Sequence, residues 1–203
     1  MILSRVAWFL RSRRFPLAAA LGSAVVMALA APAGAQDVID VPVAIQVPLI
    51  VKVLTFDRQL KTRAGAQLVV AVAYQGGNRG SVMVKDEIVS LLGAERESIA
   101  DLPITAVAID LDREPIGKAL QASHASVLYM TPVRGVDLAQ VAAAARAERV
   151  RTIATVPRDV ARGLALGVEL IGERPKLLVN LTEARLEGAE FSAELLKLAR
   201  VIP

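Results

Sequence analysis

The sequence has no cysteine, a single histidine and few aromatic residues, and these shortages exclude several kinds of site. Without cysteine there is no thiol nucleophile, no thiolate metal ligand and no disulfide. The one histidine, His124, stands between a predicted helix end and a strand, and no Gly-x-Ser-x-Gly elbow accompanies it. A nucleophile, a base and an orienting group never occur together. We therefore predict a protein that is not an enzyme and that uses no metal and no cofactor.

Long apolar runs are also scarce, and the one at the N-terminus is typical of an export signal. It is preceded by four arginines: Arg5, Arg11, Arg13 and Arg14. The run itself spans 15 residues, 17–31, whereas a membrane anchor usually needs about 20. Ala33-Gly34-Ala35 then fits an A-x-A cleavage site. We expect residues 1–35 to be a signal peptide, with residues 36–203 forming a single domain in the periplasm. The Arg13-Arg14 pair leaves twin-arginine export open beside general secretion.

An excess of positive charge is likewise absent from the predicted mature chain. The whole sequence has 24 Lys and Arg against 20 Asp and Glu, but four of the basic residues and no acidic one precede residue 36. The remaining part is balanced, which argues against a nucleic-acid partner. A domain of this size buries roughly 70% of its unfolded surface, so it can be stable on its core alone.

What the chain does contain is a regular alternation of apolar strands and amphipathic helices. Strands are predicted at 67–74, 104–111, 126–130 and 151–156, and helices at 81–92, 115–122, 137–149 and, briefly, 157–163. Asp137 with Gln140 forms a capping box for the third of these helices. Because the strands are continuously apolar, they favour a mainly parallel sheet covered on both faces. The predicted class is therefore a three-layer α/β fold.

The segment from Val41 to Leu60 predicts a further helix in front of the first strand. Its apolar stripe consists of Ile45, Leu49, Lys52, Phe56 and Leu60, which fall at helical spacing and are expected to face the core. Pro48 lacks a backbone N–H, so the helix should begin or kink there.

The last forty residues predict an antiparallel hairpin followed by helices. Residues 165–171 and 176–181 have strand composition, and the four residues between them form the expected loop. Thr182 is expected to cap a short helix that ends at Gly188. Ser192 should cap a last helix whose Leu195 and Leu198 pack against the sheet.

Polar residues follow the parallel strands, where ligands of open α/β sheets bind. The candidate ligand-binding residues are Asn78, Arg79, Thr131, Arg134 and Arg158. The glycine-rich loop 76–80 can offer backbone N–H groups to an anion, or it is a plain turn with a solvated arginine. Tyr129 either lines the same strand ends or packs in the core. Asp110 and Asp112 are weak metal candidates, and Asp112 is better explained as a helix N-cap.

Several stretches of the C-terminal half resemble the YfiR-like family of periplasmic proteins. They are Val179-Asn180-Leu181, Ala184-Arg185, Glu187-Gly188-Ala189 and the run 191–202, with Val127-Leu128-Tyr129 and residues 152–156 upstream. The resemblance implies a non-enzymatic regulator that restrains a membrane diguanylate cyclase, and so cyclic di-GMP signalling, or that accompanies a histidine kinase. Its contact surface would be the loops with Arg79, Arg134 and Arg158, or the first helix around residues 49–56. Whether the protein forms a homodimer and whether it binds a small-molecule ligand are left open by the sequence. The alternative is a periplasmic solute-binding module for a small anion.

Overall fold

A seven-stranded sheet organises the protein, and the computed structural model describes residues 39–94 and 102–202 of it. The predicted signal peptide lies outside the described residues. The strands are β1 (Leu68–Tyr74), β2 (Ile104–Asp110), β3 (Val127–Met130), β4 (Arg151–Ala154), β5 (Leu166–Ile171), β6 (Arg174–Asn180) and β7 (Arg200–Ile202). Their spatial order is β2-β1-β3-β4-β5-β6-β7. Pairing is parallel from β2 through β5, antiparallel between β5 and β6, and parallel between β6 and β7. The predicted fold class is confirmed.

Helices cover both faces of this sheet, as the continuous apolar strands require. They are α1 (Val43–Leu54), α2 (Leu60–Ala64), α3 (Arg79–Ala94), α4 (Ile116–Ser123), α5 (Leu138–Glu148), α6 (Leu181–Leu186) and α7 (Ala193–Leu198), with a 3-10 turn at Pro157–Asp159. Because strand side chains alternate, Val70 and Tyr129 pack on the side of α1, α3 and α7, whereas Ala71 and Met130 face α4 and α5. Asp137 caps α5 by accepting a hydrogen bond from the Ala139 N–H.

The position and facing of α1 differ from the sequence expectation. The helix begins at Val43 and contains Pro48 in its interior, so Pro48 does not start it. Its core side carries the buried residues Val43, Gln46, Val47, Ile50, Val53 and Leu54. Ile45 is 47% exposed, and Phe56 also faces outward. The predicted stripe was therefore wrong for most of its members, because α1 is apolar on both sides and carries one charged residue, Lys52.

The C-terminal region keeps the predicted hairpin but differs in four details. The turn is two residues long, because β5 ends at Ile171 and β6 begins at Arg174. Asn180, not Thr182, caps α6 by accepting from the Glu183 N–H. Ser192 caps α7 as predicted, and Leu195 is buried, but Leu198 is 75% exposed. One residue after α7 the chain forms β7, an additional strand beyond the hairpin that the sequence did not predict.

A buried ion pair ties the C-terminal region to the segment between α1 and α2. The Arg151 guanidinium donates through Nε to Asp57 at 2.8 Å, and the two side chains are 1% and 0% exposed. Asp57 also accepts from the N–H groups of Gln59 and Glu190, both at 3.0 Å. Arg151 further donates to the carbonyl of Gly188. Both charges are thus fully hydrogen-bonded, as burial demands.

Candidate functional site

The predicted polar residues partly converge beyond the ends of β1 and β3. A pocket of about 420 Å³, here called the polar mouth, is lined by Gln75, Gly77, Asn78, Arg79, Asp112 and Arg134. It lies where β1 has β2 on one side and β3 on the other, which is the switch point of the sheet. Among the described residues, neither Arg79 nor Arg134 has a carboxylate ion-pair partner. Three of the five predicted residues therefore line one pocket.

The glycine-rich loop of the polar mouth is already engaged by carboxylates of the protein itself. Gly76 donates its N–H to Asp110 at 3.0 Å, and Gly77 donates to Asp112 at 2.8 Å. A side chain at position 76 would approach Asp110 to 2.5 Å, which explains the glycine there. Asn78 accepts from the N–H of Gly80 at 3.1 Å and so caps the first turn of α3. These N–H groups are therefore not free for an incoming anion.

The two acidic residues of this region, Asp110 and Asp112, are engaged by other groups of the protein. The sequence predicted Asp112 as the N-cap of α4, and this prediction was wrong. Pro115 occupies that position, and Asp112 instead accepts a hydrogen bond from the Gly77 N–H. Asp110 forms an ion pair with Arg113 at 3.2 Å. Within the part of the chain that the structure describes, no three acidic or histidine side chains gather closely enough to hold a metal ion.

The polar mouth is not lined by Thr131, Arg158, Tyr129 or His124. Thr131 is buried, its hydroxyl donating to the carbonyl of Ala73 and lying 2.6 Å from the Ser81 hydroxyl. Arg158 follows β4 and lies beside Asp159. Tyr129 packs in the core, where burial raises the pKa of its phenol well above the usual range. His124 ends α4 in the left-handed conformation.

The larger depression is an apolar groove that the sequence did not predict as a whole. Its volume is about 580 Å³, and it runs between α1, the β5–β6 hairpin and α7. The lining residues are Leu49, Lys52, Val53, Phe56, Ile171, Arg174, Pro175, Lys176, Leu177, Glu194, Leu195 and Leu198. Leu177 and Leu195 are buried beneath it and belong to the core, whereas Phe56, Ile171 and Leu198 are exposed along its sides.

The rim of the apolar groove carries more positive than negative charge. Lys52 comes from α1, Arg174 and Lys176 from β6, and Glu194 from the first turn of α7. In the described ranges none of the three cations forms an ion pair, so their charge is available to a binding partner. Leu49, Lys52 and Phe56 belong to the stripe that was expected to face the core, and the region around residues 49–56 was also one of the two candidate contact surfaces. The other wall, formed by the β5–β6 hairpin and α7, lies more than a hundred residues further along the chain. No periodic sequence pattern connects the two walls.

A buried carboxylate lies behind the C-terminal region, between α6 and β4. Glu187 accepts the Thr152 N–H at 2.8 Å and the Thr152 hydroxyl at 2.5 Å. The Thr152 hydroxyl oxygen in turn accepts the Ala165 N–H at 2.7 Å. Burial raises the pKa of Glu187 to about 8, although the hydrogen bonds from Thr152 and the nearby Arg151 act in the opposite direction. The site is closed to solvent and is structural.

A family model described as YfiR/HmsC-like matches residues 81–200, which is more than half of the chain. The match runs from the first turn of α3 to the start of β7, and therefore includes the hairpin and α7 that form one wall of the apolar groove. No protein with a curated description is similar enough in sequence to count as a match. Of the described helices, none has both the length and the apolar character needed to cross a membrane.

Two solved structures share the fold at low sequence identity. One is the ABC domain of a Streptococcus pneumonia protein in complex with L-Trp, with a TM-score of 0.55 and 15% identity, covering 79% of this chain and 60% of that one. The other is a conserved domain protein from Vibrio cholerae, with a TM-score of 0.53, 15% identity and the same coverages. The chain thus spans about 60% of the length of these structures. At such identity the likeness concerns the fold alone.

Proposed function

The chain belongs to the YfiR/HmsC-like family, and from that premise we propose that it is a periplasmic regulator that acts by binding a membrane signalling protein. The partner is a diguanylate cyclase or a histidine kinase, and the protein carries out no chemistry of its own. The observation that carries the proposal is the family match over residues 81–200, and the apolar groove gives it a surface of the right kind. Exposed apolar patches bounded by polar residues are typical of protein-binding sites.

Restraint of a signalling enzyme requires the regulator to bind two states of its partner unequally. A ligand shifts an equilibrium only by its difference in affinity for the two states. A difference of about 1–3 kcal/mol gives roughly 5–150-fold control. This is within reach of one groove with a few apolar side chains, so no catalytic group is needed to explain regulation.

Gene deletion in the native host tests the proposal directly. We expect deletion to change cyclic di-GMP and biofilm levels, or the phosphorylation of a neighbouring kinase, and the full chain to restore them. A matched control expresses the chain without residues 1–35, which should fail to restore regulation because it is not exported. Unchanged signalling in the deletion strain, together with turnover of a substrate by the purified protein, would contradict the proposal.

The polar mouth supports a second candidate function, the binding of a small anion. Arg79 and Arg134 line it without a carboxylate partner among the described residues, although Asp112 also lines it and occupies the Gly77 N–H. Calorimetric titration with inorganic phosphate tests this function. Binding that is lost in Arg134→Ala and kept in Arg185→Ala, on α6, would support it; equal heats in both variants would exclude it.

A further inference from the structure

The second apolar stripe of α1 needs an explanation that the fold does not supply. A helix that is apolar all round is normally buried all round, yet α1 covers the core with one side only. α1 contributes Leu49 to the apolar groove, and Phe56, two residues after the end of the helix, lines the groove together with Ile171 and Leu198. Leu198 is the most exposed large apolar side chain of the described residues. These residues lie together although they come from three different segments of the chain.

We propose that the apolar groove binds an amphipathic helix of a partner protein, with apolar side chains in the groove and acidic residues beside them. The inference rests on the proposed regulatory function and names the chemistry of the partner segment. Lys52, Arg174 and Lys176 outnumber Glu194 on the rim, so the occupant's flanks carry Asp or Glu opposite these cations. Complementary charge of this kind selects and orients a partner and speeds association.

The position of the groove explains why its occupant is a helix. The groove lies on one face of the sheet, above Leu177, and its walls are α1 and α7. An extended peptide could add only to the short stretch of β6 that β7 leaves uncovered, Arg174 to Leu177. Pro175 in this stretch has no N–H to donate, so most backbone groups of such a peptide would be left without partners. A helix satisfies its own backbone and presents apolar side chains three and four residues apart, as in other helix-in-groove complexes.

A second copy of the chain fits the groove less well. A two-fold dimer places the same patch on both sides, so the cations around Lys52 and Lys176 would face each other. A lipid bilayer would contact Phe56, Ile171 and Leu198 at the sides but leave the recessed floor of the groove unfilled, whereas a helix fills it. An acidic amphipathic helix satisfies both the concave shape and the charge.

Selection from displayed peptides tests both the shape and the charge of the occupant. The full chain is used to select from random peptides long enough for several helical turns. We expect the selected sequences to carry apolar residues at helical spacing with Asp or Glu on the flanks. Leu198→Glu and Phe56→Glu should weaken binding of these peptides about tenfold or more, as removal of a central anchor does. Met83→Glu, an exposed apolar position of α3 outside the groove, is the matched control and should bind normally.

A charge reversal distinguishes an effect on peptide recognition from an effect on the stability of the fold. In the double variant Lys52→Glu, Lys176→Glu the selection should return basic flanks instead of acidic ones, while Lys118→Glu on the opposite face should leave it unchanged. Selected peptides without helical spacing, or flanks that do not follow the reversal, overturn the proposal. Self-association abolished by Leu198→Glu in sedimentation would instead identify a second copy as the occupant. Binding of phosphatidylglycerol vesicles lost in Leu198→Glu would identify a membrane.

The failure of this inference is distinguishable from the failure of the proposed function. If the deletion strain is restored as well by Leu198→Glu as by the original chain, the protein regulates through another surface and the groove proposal is wrong. If peptides bind as expected but deletion leaves signalling unchanged, the groove is a helix-binding site and the regulatory function is wrong.

Discussion

Asp57 and Arg151 are almost completely removed from water, and the free energy of unfolding should depend strongly on both. Removing Asp57 leaves a buried guanidinium and frees the N–H groups of Gln59 and Glu190. We expect Asp57→Ala to lower the free energy of unfolding by about 3–5 kcal/mol. Urea denaturation followed by circular dichroism measures the change.

The matched control for this prediction is a neighbouring ion pair at the surface. Arg58 and Glu190 lie 3.5 Å apart with side chains 67% and 52% exposed. Such pairs contribute about 1 kcal/mol or less, so Arg58→Ala should change the urea midpoint little. Equal effects of Arg58→Ala and Asp57→Ala would show that the buried pair has no special role.

Glu187 makes stability depend on pH in a direction opposite to that of most carboxylates. Burial raises the pKa of Glu187 from 4.5 to about 8 in the folded state. Folding therefore favours protonated Glu187, and the contribution of this group to the free energy of unfolding is complete below pH 4.5. It is lost as the pH rises towards 8, at up to about 1.4 kcal/mol per pH unit.

The variant Glu187→Gln tests this pH dependence. A glutamine can accept the Thr152 N–H and donate to the Thr152 hydroxyl oxygen, as protonated Glu187 would. We expect the variant to lose the decline between pH 4.5 and 8 and to exceed the original chain in stability at the upper end. Identical pH profiles of the urea midpoint in the two proteins would contradict the raised pKa.

At the scale of single elements, α7 is expected to contribute to stability through one face only. Leu195 is buried and Leu198 is not. Leu195→Ala should lower the free energy of unfolding by about 2–5 kcal/mol, because it removes buried methyl groups and leaves a cavity. Leu198→Ala should stay within about 0.5 kcal/mol, as surface changes do. Urea midpoints of the two variants provide the measurement, and a large effect of Leu198→Ala would show that it packs more closely than its exposure indicates.

Periodicity predicted the elements whose pattern repeats and missed those whose pattern does not. The parallel strands were found because each is a continuous apolar run between turn residues. The facing of α1 was misassigned because two apolar stripes fit the same helical period. Strand β7 was missed because Arg200, Val201 and Ile202 are too few to show alternation.

The candidate sites show the same limit of sequence reasoning. The polar mouth was predicted from the rule that strand ends gather at one edge of a parallel sheet. What the sequence could not show is that Asp110 and Asp112 already occupy the glycine N–H groups. The apolar groove depends on three segments that meet only in the folded chain, so no local pattern contains it.

At the scale of the whole molecule, the proposed function depends on the predicted export of the chain. We expect the secreted protein to begin at Gln36, because an A-x-A site follows an apolar run too short for an anchor. Intact-mass measurement of the protein recovered from the periplasm checks this. A mass that retains residues 1–35 would contradict the prediction.

The hydrogen bond from the Glu190 N–H to Asp57 joins residues 133 positions apart, and this has a consequence for the order of folding. Contacts so distant in sequence form slowly, because the chain must lose the conformational entropy of closing a long loop before the contact contributes any favourable energy. The hydrogen bonds of Asp57, in the segment after α1, are therefore complete only when the C-terminal region has folded. The apolar groove is built from the same two regions, so a chain whose C-terminal region has not yet folded has no groove. If the chain acts as the regulator proposed above, its ability to bind would report that folding is finished, and an incompletely folded chain would not engage the partner.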